Sequence, residues 1–227
     1  MRYIFITLVF CFNLFADEVS LKSLNDLKII QESEIKVVEF KAKDSIYLLK
    51  GVMDTKRGKR QILFYMTKDL KYTFFGRGLD DQNQALYIKK DMSIYKKYSN
   101  FTYGEGEKEY YLFTDPQCPY CKKFEKLLYS SDLKDKVKIY YFLYPLFFHK
   151  EAIPMSNYIL SKKDKVKALK EVMINDSKEY KSFSNQKSEE LIKNDEIAFD
   201  VMVRGTPSLF DSKGKQLNYQ KFFKNFK

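Results

Sequence analysis

Apolar residues change their spacing several times along this chain, and each change marks a different element. Leu21, Leu24, Leu27 and Ile30 recur at three-residue steps, which predicts a helix over residues 19–30 with Ser20 or Asp17 as its cap. Four short β-rich runs follow, at residues 35–40, 46–49, 62–66 and 72–75, with turn signals between them. The last two runs predict a hairpin. Residues 80–106 keep no steady period. Ala85, Leu86, Ile88, Met92, Ile94 and Tyr95 predict a short helix, and residues 98–106 turn polar and glycine-containing. The segment reads either as a spacer between two halves or as a loop packed on the second half. Beyond it the pattern strengthens. An aromatic run over residues 110–113 leads into an amphipathic pattern at Phe124, Leu127 and Leu128, and residues 137–143 predict a central strand. Helical patterns cover residues 152–160, 165–174 and 188–203. A loop then enters an apolar run over 206–210, turns back at 211–214 and ends in an amphipathic stretch over 219–226.

The fold class is therefore α+β. A small N-terminal α+β unit (residues 17–79) is joined by a connector (80–106) to a larger domain (107–227). The first unit is marginal alone by surface-to-volume scaling, and pairing with its own copy is the common remedy. Residues 1–16 read as a secretory signal, with Arg2, an apolar run over 3–12 and a cleavage site after Ala16. The run is too short to span a bilayer comfortably. Cys11 is expected to leave with it; the alternative is a hydrophobic N-terminal helix retained as an anchor.

Charge changes the picture little. The net charge is +11, but only five of the 41 basic residues are arginine, and the lysines are interleaved with acids. Nucleic-acid surfaces cluster arginine and lysine on one face, so a nucleic-acid partner is not expected. Tryptophan is absent against 18 tyrosines and 20 phenylalanines, most of which read as core and strand residues.

Cysteine use changes it most. Once the signal is gone, only Cys118 and Cys121 remain, at the junction of strand and helix. An exported chain that keeps one C-x-x-C in an oxidising compartment uses it for exchange rather than for stapling. The spacing suits that chemistry. Cys118 falls at the helix N-terminus, where free N–H groups and the dipole favour a thiolate, and Pro119 falls at the first helical position, where its missing N–H costs nothing. Tyr120 completes the dipeptide, and Cys121 sits one turn on. Cys118 is the expected exposed nucleophile and Cys121 the shielded thiol that resolves the mixed disulfide. A zinc site would need two further ligands, and His149 is the one histidine, so no metal is expected. No cofactor motif appears. His149 has no acid pattern near it in sequence and reads as a loop residue. Phe147 and Phe148 follow the C-terminal end of the central strand, the side where α/β sheets meet ligands, and are candidate substrate contacts.

FTDPQCPYCKKFE together with VRGTPSLF resembles the periplasmic thiol:disulfide interchange proteins of the DsbC/DsbG type, a thioredoxin-fold family. YFLYPLFF and the 162–173 helix also lie where that family has counterparts. The resemblance implies a homodimer joined through N-terminal domains, and a thioredoxin-fold catalytic domain with a helical insertion. Cys118 is then the nucleophile, Cys121 the resolving thiol, and Thr206-Pro207 a cis-proline loop that pairs with substrate. Pro119-Tyr120 matches the DsbG branch. The implied partners are misoxidised or unfolded exported proteins and a membrane thiol-disulfide reductase as electron donor. Departures exist: there is no second disulfide, and Leu112 stands where thioredoxin has a buried acid. A disulfide isomerase or reductase is the leading expectation. A DsbA-like oxidase and a periplasmic chaperone with secondary redox activity stay open.

Overall fold

The computed structural model describes residues 19–55 and 58–226, so the expected signal segment, Cys11 and the Asp17 cap lie outside the described residues. The chain divides into two units, residues 1–86 and 87–227, each with its own sheet and core.

In the first unit the helix expected over 19–30 is two short helices, α1 (Leu21–Asn25) and α2 (Lys28–Glu32). Ser20 caps α1 in a reciprocal capping box with Ser23. The break follows from Asn25. Its side-chain amide donates to the carbonyl of Val37 at 2.9 Å, and its Oδ1 accepts the Val37 N–H at 2.8 Å, which ties the end of α1 to strand β1 (Lys36–Lys43). Strands β2 (Ile46–Thr55), β3 (Gly58–Thr67) and β4 (Thr73–Phe75) complete an antiparallel meander in the order β1-β2-β3-β4. The expected hairpin is present, with Phe64 opposite Phe75. β2 and β3 run well past their apolar stretches, because backbone pairing continues through Asp54, Lys59 and Arg60, where side chains face water. Leu24, Ile30, Val37, Leu49, Phe64 and Met66 form the core.

The second unit starts earlier than residue 107. No helix forms over 85–91. A 3-10 helix instead spans Met92–Tyr98, with Met92 and Tyr95 buried in the core, and β5 (Phe101–Tyr103) follows. Residues 87–106 are thus built into this unit rather than spanning open space. Gly104, at a φ of +80°, turns the chain from β5 toward the next strand, and a Cβ there would lie 2.2 Å from the Val137 carbonyl oxygen. Then come β6 (Lys108–Thr114), α3 (Pro119–Tyr129), β7 (Val137–Leu143), α4 (Ala152–Ser161), α5 (Lys165–Met173), a 3-10 turn at Glu179–Ser182, α6 (Glu189–Asp200), β8 (Ser208–Asp211), β9 (Gln216–Leu217) and α7 (Tyr219–Lys224). The sheet order is β5-β7-β6-β8-β9, with only β6 and β7 parallel.

Both faces of this sheet are covered, which is why its strands read as unbroken apolar runs. Leu112, Ile139, Tyr141 and Leu143 pack with residues of α3, α4 and α5. On the other face Tyr111 stacks on Tyr140 and Phe113 on Phe142, in register across the parallel pair, against Met92, Tyr95 and α6 residues. α6 stops at Asp200, short of the expected Val203, because Met202 takes a left-handed conformation at φ 61° and the Val203 N–H returns to the Ala198 carbonyl.

Candidate active site

β6 ends at Thr114, and four residues later Cys118 is the N-cap of α3, with Pro119 at the head of the helix. Cys118, Cys121, Phe124 and Leu128 form the buried stripe of α3. Leu127, expected in that stripe, faces solvent, and Glu125 takes the buried place instead. The spacing 121, 124, 125, 128 is the signal that would have located Glu125.

The two cysteines are free thiols. Cys118 is 4% exposed and Cys121 0%, so the expected open nucleophile is nearly covered and differs from its partner by degree. Their acidities diverge sharply. The Cys118 thiol is pulled down to about 5, chiefly by the Cys121 thiol donating to it, with help from the N–H groups of Cys121 and Tyr120 and the Thr206 hydroxyl, against the cost of burial. The Thr206 hydroxyl is buried and closes no regular hydrogen bond. Burial first, then the neighbouring Cys118, pushes the Cys121 thiol up.

The loop before β8 reaches the pair from across the unit. Cys118 Sγ lies 3.5 Å from the carbonyl oxygen of Thr206, and the Thr206–Pro207 peptide bond is cis. Tyr120 stands 64% exposed beside them in the chain. Phe147 and Phe148, at 87% and 57% exposure, lie on the turn after β7, and their rings meet edge to face.

His149 is not the isolated loop residue its sequence surroundings suggest. Its Nδ1 lies 2.7 Å from Oδ2 of Asp115, a fully buried carboxylate three residues before Cys118. The two are 34 positions apart, so no local pattern announces the pair. Among the described residues no group of three or more His, Cys, Asp or Glu is arranged to hold a metal, and no helix is long and apolar enough to cross a membrane.

Several solved structures resemble parts of this chain. A disulfide interchange protein from Neisseria gonorrhoeae is similar at 18% identity and a TM-score of 0.47, over 57% of this chain and 96% of that one. ScsC of Proteus mirabilis in a transitional conformation is similar at 18% identity and a TM-score of 0.43, over 59% and 76%. DsbG of Helicobacter pylori is similar at 15% identity and a TM-score of 0.35, over 81% and 97%. No curated protein matches. The family model of the thioredoxin-like domain matches residues 102–221, more than half of the 227 residues. The chain belongs to the thioredoxin-like family.

Proposed function

We propose that this protein is a thiol-disulfide oxidoreductase that isomerises or reduces wrong disulfides in exported proteins. The supporting observation is the pairing of a Cys118 thiol lowered to about 5 with a buried Cys121 held well above it, one helical turn apart. At neutral pH the first is a thiolate and the second keeps its proton.

The Cys118 thiolate attacks one sulfur of a client disulfide, forming a Cys118–client bond and releasing the other client sulfur as a thiolate. A second client thiolate then attacks the mixed disulfide and returns Cys118 reduced, which is isomerisation. Alternatively Cys121 loses its proton and attacks, so that a Cys118–Cys121 disulfide forms and the client leaves with both sulfurs reduced. A donor dithiol must then restore the pair, and a membrane reductase is the proposed source. The Thr206 backbone beside Cys118 suits an extended client segment, with Pro207, Tyr120, Phe147 and Phe148 as further contacts. Export through residues 1–16 belongs to the same reading, with the periplasm as its compartment. So does pairing of two chains through the first unit, where Tyr72, Phe74 and Phe75 are exposed apolar residues.

A lowered Cys118 thiol stabilises the reduced form of the pair, so a potential above the ~−270 mV of thioredoxin is expected. Alkylation of reduced protein tests the premise. Its rate should be half-maximal near pH 5 and collapse below it, while a Cys121→Ala variant should retain multi-cysteine exported proteins as mixed disulfides on Cys118. A half-maximum near that of free cysteine, with no adducts, would remove the enzymatic reading and leave the chaperone. A potential at the ~−120 mV of the strong oxidant DsbA would favour the oxidase.

A further inference from the structure

The turn that carries Phe147 and Phe148 is fastened to the cysteine loop through one buried side chain. Asp115 takes three donors: Oδ1 accepts the N–H of Gln117 at 2.8 Å, and Oδ2 accepts the N–H of Leu146 at 2.7 Å and Nδ1–H of His149 at 2.7 Å. A carboxylate only accepts, so the His149 proton sits on Nδ1. The turn closes on itself through the His149 N–H to the Leu146 carbonyl at 2.9 Å. Two flanking bonds hold the same seam: the Tyr144 N–H to the Thr114 carbonyl at 2.7 Å, and the Glu151 N–H to Gln117 Oε1 at 2.8 Å.

The backbone of Asp115 meanwhile meets both cysteines. Its carbonyl accepts the Cys118 N–H at 3.1 Å, and its N–H points at Cys121 Sγ at 3.4 Å. From His149 the contact runs outward through rings. Phe148 lies 4.5 Å from the His149 ring and 5.1 Å from Phe147, both pairs edge to face. The result is a pair of exposed phenyl rings on a turn with no helix or strand of its own, fixed to the loop that ends at the nucleophile. Adjoining exposed apolar side chains of this kind mark contact surfaces for other chains.

We propose that Asp115 and His149 are positioning residues for client selection. They hold Phe147 and Phe148 as a preformed apolar platform beside the cysteine loop, so that Cys118 favours disulfides whose cysteines are flanked by large apolar side chains. This rests on the exchange reading above and names its substrate class: segments of unfolded chain that would be buried once folded. A platform fixed in advance spares the ordering that a free turn would undergo on binding.

Two cyclic peptides, identical except for leucine or serine on either side of one cysteine of their disulfide, provide the test. Reduced protein converts one peptide disulfide to two thiols as its own pair is oxidised, and the second-order rate constants are compared. The parent should favour the leucine peptide by about tenfold, the range a small apolar contact supplies. His149→Ala should bring that ratio to within about twofold of unity, and His149→Asn, whose side-chain N–H stands in for Nδ1–H, should restore most of it. A Phe147→Ser/Phe148→Ser double variant, altered only at the surface, should lose the ratio as His149→Ala does. The proposal is overturned if the double variant keeps the parent's ratio, or if the parent reacts with both peptides equally. A parent inert toward both peptides sinks the exchange reading as well.

Discussion

Two carboxylates are fully buried close to the cysteine pair, one in the loop ahead of it and one in the helix behind it, and they are solvated in opposite ways. Asp115 lies in the loop, where backbone N–H groups are not committed to a helix, and two of them with the His149 ring converge on its oxygens. Glu125 lies inside α3, where each backbone N–H already serves the carbonyl four residues back. It has the Tyr141 hydroxyl at 3.0 Å on Oε2, Tyr129 nearby, and no partner on Oε1. Burial therefore pushes the Glu125 carboxyl up to about 8, partly opposed by those two hydroxyls. Depth alone does not decide how a buried acid behaves. The local supply of donors does, and a loop supplies what a helix interior cannot.

The largest effect should come from Asp115→Ala. It leaves two backbone N–H groups and the His149 ring without their acceptor, and denaturant unfolding of reduced protein should show a loss of about 3–5 kcal/mol. A loss below about 1 kcal/mol would mean the loop finds other acceptors, and the contrast would fail.

Glu125→Gln should move stability the other way, by about 1–3 kcal/mol at pH 8. The sign follows from the raised acidity constant. Folding keeps the proton that the unfolded chain releases near 4.5, so this group's contribution is full below that value and is lost as pH rises toward about 8. The lowered Cys118 thiol acts the other way over the same range, so the difference between the two proteins carries the test: the glutamine variant should gain on the parent as pH rises. Unfolding midpoints at pH 5 and pH 8 in both proteins decide the point. A difference that stays the same at the two pH values would remove Glu125 from the account.

Tyr141→Phe should have the smallest effect, about 1 kcal/mol of stability at neutral pH, since one hydroxyl donor is removed. Its sharper signature lies in titration. Without that donor the Glu125 carboxyl should ionise at still higher pH, visible in the infrared carboxyl band of the folded protein. An unmoved transition would show that Tyr141 contributes nothing to the charge.

Legibility along the chain divides by distance in sequence. The strand–C-x-x-C–helix junction was readable because every signal in it is local: the apolar run, proline at the first helical position, and cysteine four residues after the strand ends. Glu125 was half readable, since its place in the α3 stripe is a matter of spacing, whereas its solvation depends on Tyr141 from β7. His149 was not readable at all, because its partner lies 34 residues away and the two meet only when β6 and β7 lie side by side. Residues 87–106 left two readings open for a related reason. β5 is three residues long and is a strand only because β7 offers an edge to pair with.

By itself the sequence determined the α+β class, the second-unit helices to within a few residues, and the dithiol with its capping geometry, since these follow from propensity, period and caps acting over one or two turns. Only the tertiary structure decided that Thr206 meets Cys118 across 88 positions, that Asp115 grips His149, and that Glu125 is buried with few donors. The physical reason is that solvation and acidity are set by what surrounds a group in space, and chain neighbours supply only part of those surroundings.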